Sequence, residues 1–273
     1  MTTSAAPLDY ARQTVLVTGA SAGLGAEFAR QLAARGSDLV LVARRADRLQ
    51  ALATQLQEQH GTTVAAVPMD LAAPDVARRL QTELARRQVE VTSVVNNAGF
   101  ASTGLFHETE LADLSAEVAV DVTSVVEISH AFMPRLRERG DGFLLNVASM
   151  AAYQADPRMA VYGASKAFVL SLTEALWYEA RGTGLRVLAL SPGATETEFF
   201  DVAGDGADGG TRRMPADAVV ATALTALERR NPPPSVIAGR GNRVASLLAR
   251  VVGRRRATEL IGGMMARSAA TGR

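Results

Sequence analysis

Thr14-Val15-Leu16-Val17-Thr18-Gly19-Ala20-Ser21-Ala22-Gly23-Leu24-Gly25 begins as a short β-branched run and ends in a glycine-spaced turn. A helical stretch, 22–35, follows directly. A glycine loop between a strand and a helix leaves backbone N–H groups and the positive end of the helix dipole aimed at one spot. Such a junction can face a pyrophosphate. Taken alone, Gly23 and Gly25 could equally ease a helix against a strand. The strand before them and the helix after them favour the phosphate reading.

Outward from this point, strand and helix alternate along the chain. Asp38–Ala43 reads as a second strand and Ala46–Gln59 as a helix rich in leucine and glutamine. Thr63–Pro68 is a third strand, Pro74–Arg87 a helix, and Ser93–Asn96 a fourth strand. Leu111–Arg139 is expected as one long helix, Gly142–Val147 as a fifth strand, and Met159–Arg181 as another long helix. Leu185–Leu190 and Ser235–Ala238 complete about seven strands. Apolar strands without polar alternation suit a sheet covered on both faces, and β/α alternation implies parallel strands with right-handed crossovers. The expected fold class is α/β: a doubly wound, mostly parallel, Rossmann-type sheet with helices on both faces.

No internal repeat or inter-domain linker is visible, so residues 1–273 are expected to form one domain. Residues 1–12 form a leader. Residues 199–215 are expected to be a substrate-side lid, with Asp201–Arg213, rich in glycine and aspartate, as the least ordered stretch. Residues 241–273 read as an amphipathic helical extension.

The chemistry-bearing motifs fall at the carboxyl ends of strands, where ligands bind in open α/β sheets. The glycine loop follows strand one, and Asn96-Asn97-Ala98-Gly99 closes strand four. Ser149 follows strand five, and Pro192-Gly193 follows strand six. Tyr162 and Lys166 are four apart in a helical stretch and share a face. An ammonium beside a phenol favours the phenolate and lowers a pKa of about 10. A place for a hydride carrier next to a proton-moving tyrosine describes an oxidoreductase.

The tail of strand two discriminates between dinucleotides. An acid there bonds the ribose hydroxyls of NAD, whereas an arginine accepts a 2′-phosphate. Val42-Ala43-Arg44-Arg45 has no acid, and Arg44 comes first after the strand. NADP(H) is therefore expected over NAD(H). Asp70, after strand three, could bond an adenine amino group or serve as a helix N-terminal residue.

Together, Thr18–Gly25, Asp70, Asn96–Gly99, Ser149, Tyr162 with Lys166, and Pro192-Gly193 with Thr197 resemble the short-chain dehydrogenases/reductases, in order and spacing, over roughly residues 14–200. The resemblance implies that Tyr162 is the general acid in reduction and the base in oxidation. It implies that Ser149 hydrogen-bonds the substrate oxygen, and that Lys166 lowers the tyrosine pKa and bonds the nicotinamide ribose. It also implies cofactor binding by Gly19, Ser21, Gly23, Leu24 and Gly25, by Arg44 and Asp70, and by Asn97, Ala98 and Gly99. Pro192, Gly193 and Thr197 complete that set.

One position departs from the pattern. The family's long helix usually carries an asparagine in a water-linked proton path near the lysine, and Val118-Ala119-Val120-Asp121 puts Asp121 there. An ionised Asp121 would favour a charged lysine or add an acceptor to the relay. Tyr153 is a decoy for the base, because Pro157 stands where its paired lysine would be.

Other features bound the function. A formal net charge of +1 gives no reason to propose nucleic acid as a partner. Zero cysteines exclude disulfides and thiolate chemistry and fit a reducing compartment, so the expected location is cytoplasmic. His60, His107 and His130 show no metal-ligand spacing, and no metal is expected. Met150, Tyr153, Phe100, Phe106, Phe199 and Phe200 flank the motifs and suggest an apolar pocket for a lipophilic carbonyl or alcohol.

At the C-terminus, Val244, Leu247, Leu248, Val251 and Val252 repeat at helical spacing, with Arg243, Arg250 and Arg254–Arg256 beside them. A basic amphipathic helix can lie on a membrane. The same pattern more commonly packs on its own domain or a partner subunit, so membrane contact is not the expectation. The family resemblance implies a homodimer or homotetramer. The competing readings are a dinucleotide-binding regulatory or scaffold protein without turnover, and a membrane-surface lipid carbonyl reductase.

Overall fold

Seven parallel strands form one sheet in the order β3-β2-β1-β4-β5-β6-β7. The computed structural model describes residues 7–204, 207 and 210–271. The strands are β1 (Thr14–Thr18), β2 (Asp38–Ala43), β3 (Val64–Pro68), β4 (Ser93–Asn96), β5 (Phe143–Val147), β6 (Arg186–Ser191) and β7 (Ser235–Ile237). Residues of one strand alternate between two cores. Val15 and Val17 pack on one face with α1 (Gly23–Ala33), α2 (Ala46–His60) and α8 (Ala216–Leu227). Leu16 packs on the other with α3 (Val76–Arg86), α5 (Ser124–Arg139) and the end of α6 (Ala160–Glu179). The central strands are buried on both faces, which explains their unbroken apolar sequence.

Chain order reverses between β1 and β4, and this switch point opens a crevice at the strands' carboxyl ends. Hydrogen bonds brace it: Thr18 Oγ1 accepts from the N–H groups of Asn97 (2.9 Å) and Ala98 (3.0 Å), while Asn97 Nδ2 donates to the Thr18 carbonyl at 2.9 Å. Below, buried Asn96 donates to Asn146 Oδ1 at 2.9 Å, joining β4 to β5.

The expected long helix 111–139 is present but not uniform. Its first part, α4 (Leu111–Val118), passes into α5 through a π-helical turn, Ala119–Thr123. Asp121 lies in that turn. The leader contributes to the core, since Tyr10 is buried edge-on against Phe143. The Asp201–Arg213 stretch falls partly outside the described residues, and its start belongs to a short helix, α7 (Phe199–Ala203). The C-terminal extension forms α9 (Arg240–Val251) and α10 (Arg254–Thr271). Among the described residues, no helix is long and apolar enough to cross a membrane.

Candidate active site

The glycine loop delivers α1 to the crevice with its N-terminus uncapped: Ala22 precedes the helix and no side chain bonds its first N–H groups. Those donors suit an anionic group. Gly23 has φ +53°, and a Cβ there would press on the Thr197 side chain at 3.1 Å. The loop after β6 therefore closes onto the glycine loop. Pro192 joins that loop to the far wall, its carbonyl accepting from the Met150 N–H at 2.8 Å.

At the other end of the glycine loop, Arg45 reaches Ser21, its Nε donating to Oγ at 3.1 Å. Arg45 and Arg48 both grip Glu198, at 2.8 and 2.6 Å. Their hydrogen bonds hold the Glu198 carboxyl below the usual carboxylate range. Arg44 is exposed at the end of β2. The arginine brought to the loop is thus Arg45, one residue beyond the position singled out by sequence. Exposed Asp70 accepts from the Ala72 N–H at 3.0 Å, closing a turn after β3.

Ser149, Tyr162 and Lys166 come together on the opposite wall. Ser149 precedes a 3₁₀ turn and its Oγ accepts from the Ala151 N–H at 3.1 Å. Tyr162 and Lys166 lie in the first two turns of α6, with Lys166 Nζ 5.5 Å from the phenol ring centre. Lys166 also donates to the Val147 carbonyl at 3.4 Å and pairs with Asp121 Oδ2 at 2.9 Å. Asp121 Oδ1 accepts from the Phe100 N–H at 3.1 Å. The π turn thus aims a buried carboxylate at the lysine, consistent with the enrichment of such turns at functional sites.

Lys166 does pull the phenol pKa down, as expected, but burial opposes it more strongly. Burial pushes the Tyr162 hydroxyl up; Lys166 and a hydrogen bond from Ser149 pull it down; Asp121 and Asp156 push it up again. The net direction is upward. For Lys166, burial disfavours the charge, but Asp121 and Tyr162 outweigh it and hold the ammonium above its ordinary value. Burial raises the Asp121 carboxyl against the pull of Lys166.

Two acids without a sequence signature join this set. Glu117, one turn before Asp121, is fully buried, and its Oε2 accepts from the Ser102 N–H at 2.9 Å. Burial pushes its carboxyl up. Asp156 lies against Gly163, and burial pushes its carboxyl up to about 6. Tyr153 shares a hydrogen bond with Ser191 at 3.2 Å instead of meeting a lysine.

An apolar cluster covers Tyr162. Ala101, Met159, Ala203 and Met265 are buried there, with Phe199 and Ile261 packed against them. The Phe199 ring lies 5.5 Å from that of Tyr162. Phe106, anticipated for the pocket, is 64% exposed and outside the cluster. Tyr153 packs with Val125, Ala148 and Val169 instead. Ile261 and Met265 come from α10 and carried no sequence motif. Only their position in the fold reveals them.

These features have counterparts in known proteins. Residues 13–207 match the model of the family described as short chain dehydrogenase. A sulfoacetaldehyde reductase from Chromohalobacter salexigens is 37% identical over 68% of this chain and 73% of its own length. A short-chain dehydrogenase from Sphingobium yanoikuyae, solved in complex with NADPH, is 34% identical with a TM-score of 0.78, covering 89% of this chain and 94% of that one. A bulky-bulky ketone specific alcohol dehydrogenase from Comamonas testosteroni is 28% identical with a TM-score of 0.73, covering 88% and 93%. With the sheet order, the switch-point crevice and the Ser149–Tyr162–Lys166 wall already in place, the match establishes that the chain belongs to the short-chain dehydrogenase/reductase family.

Proposed function

We propose that the protein is an NADP(H)-dependent oxidoreductase interconverting a ketone or aldehyde with its alcohol. The observation that carries this is the convergence of Ser149, Tyr162 and Lys166 on one side of a crevice whose other side is the uncapped start of α1. When bound, the dinucleotide supplies or accepts the hydride. Tyr162 gives its phenol proton to the carbonyl oxygen in reduction and takes it back in oxidation. Ser149 donates a hydrogen bond to that oxygen as charge builds on it. Lys166 orients the tyrosine and the ribose, and Asp121 holds Lys166 charged.

The 2′-phosphate preference rests on Arg45, which bonds Ser21, on Arg44 beside it and on the lack of an acid at the end of β2, and agrees with the NADPH complex of the Sphingobium relative. Asp70 takes the adenine edge, and Asn97, Ala98 and Gly99 line the ribose side. The apolar cluster over Tyr162 favours a lipophilic substrate, and the Comamonas relative is named for bulky ketones. Residues 199–215 act as the lid. Exposed Leu111, Phe168 and Tyr178 on α4 and α6 favour a homo-oligomer, and the absence of cysteine favours the cytoplasm.

Consumption of NADPH across a panel of ketones and aldehydes tests the reading, with Tyr162→Phe as control. Turnover in the wild type and a loss of at least about 100-fold in Y162F is expected. Full activity in Y162F removes the tyrosine from the mechanism.

A further inference from the structure

Helix α9 turns its apolar stripe away from the protein. Val244, Leu247, Leu248 and Val251 are spaced i, i+3, i+4, i+7 and share one face. They are 57%, 60%, 59% and 84% exposed. The side toward the domain carries Ser246, only 4% exposed, and Asn242, whose Nδ2 donates to the Ala238 carbonyl at 2.7 Å. A helix serving only its own core would bury the leucines and leave serine and asparagine in water.

Charge identifies what covers the stripe. From residue 229 to residue 258 the chain has eight arginines and no aspartate or glutamate, in a protein of net charge +1. Arg240 and Arg243 on α9 and Arg254, Arg255 and Arg256 at the start of α10 are exposed, Arg255 pairing with Glu259 at 2.9 Å. A second copy meeting this face across a two-fold axis would set one arginine-rich segment against another, a like-charge contact that costs association. An anionic surface meets both features at once.

We propose that α9 and the start of α10 dock on an anionic lipid surface. The four apolar side chains enter the boundary below the headgroups, and the arginines meet the lipid phosphates. Helix α10 continues from this face to Ile261 and Met265, which pack beside Tyr162 and Phe199. The docked surface and the reactive crevice therefore share one helix pair, an arrangement that suits an apolar substrate drawn from lipid.

Co-sedimentation of the full-length protein with phosphatidylcholine vesicles, with and without phosphatidylglycerol, tests this by binding alone, so it stands apart from the proposed reaction. Binding is expected only with phosphatidylglycerol and is expected to weaken as salt rises. Leu247→Ser/Leu248→Ser should lower the partition coefficient at least about tenfold, and so should Arg254→Gln/Arg255→Gln/Arg256→Gln. These residues are exposed and lie outside both the Ser149, Tyr162 and Lys166 set and the cluster over Tyr162, so loss of binding with an unchanged thermal transition assigns the effect to the surface. Wild-type protein that stays in solution with both vesicle types overturns the proposal. So does leucine-independent binding, which would be plain electrostatic adhesion. An oligomer that dissociates in L247S/L248S, with no vesicle binding by the wild type, would make this face a contact between copies instead.

Discussion

Lys166 Nζ sits 2.9 Å from Asp121 Oδ2, with 5% and 0% of the two side chains exposed. In so dry a setting opposite charges attract strongly, and the carboxylate offsets the field by which the ammonium would stabilise a Tyr162 phenolate. Burial raises the phenol pKa most and the carboxylate adds to that rise, so the phenol keeps its proton to higher pH, which suits delivery of a proton to a carbonyl oxygen.

Asp121→Asn preserves the shape and removes the charge, so the phenol pKa should fall. Alcohol oxidation needs the phenolate, and its rate rises as pH passes that pKa. The alkaline rise in kcat should therefore move to lower pH in D121N. Parallel pH profiles of kcat for wild type and D121N check this, and an unmoved or upward-shifted limb would refute it.

Arg45 makes the second prediction, because it alone of the two adjacent arginines bonds the glycine loop, through Ser21. A charge-assisted bond to a 2′-phosphate is worth about 1.5–3 kcal/mol, or roughly 10- to 100-fold in affinity. Arg45→Ala should weaken NADPH binding by that factor and leave NADH within about twofold. Arg44→Ala should do less. Fluorescence titration of both cofactors settles the ranking, and equal losses for NADPH and NADH would remove Arg45 from phosphate recognition.

Much of this architecture is legible in sequence for a plain reason. Strands such as Val15–Val17 and Leu39–Val42 are buried on both faces and must be continuously apolar. A phosphate-binding turn needs glycine where a strand gives way to a helix. The fold follows from those local demands, and the four-residue spacing of Tyr162 and Lys166 puts them on one helix face, whereas Ser149 is legible only through the resemblance to the family. Other parts depend on tertiary placement. Nothing local distinguishes Arg45 from Arg44, because the choice depends on where Ser21 and Glu198 arrive from elsewhere in the chain. The burial of Glu117 depends on how α4 packs against α6. The outward stripe of α9 reads as an ordinary core-facing pattern until the fold shows that Ser246 occupies the inner side.

Asp156 yields a prediction about stability. Its carboxyl is pushed up to about 6 from an ordinary 3.8 by burial. Because the folded-state value is the higher one, the native state favours the protonated form. Below about pH 4 the group is protonated in both states and carries no penalty. As pH rises from 4 through 6 the unfolded chain ionises first, and the native state loses that relative advantage. Above pH 7 the full cost is present, about 2 kcal/mol after allowance for partial solvation. Asp156→Asn removes the charge without changing the shape, so it should stabilise the protein by about that amount at pH 8 and hardly at all at pH 4. Urea unfolding at the two pH values measures the difference. It also reaches the active site, since Asp156 raises the Tyr162 phenol. The same variant should shift the oxidation profile to lower pH, in the direction expected for D121N. A gain in stability equal at both pH values would mean that the carboxyl is not ionising in a buried site.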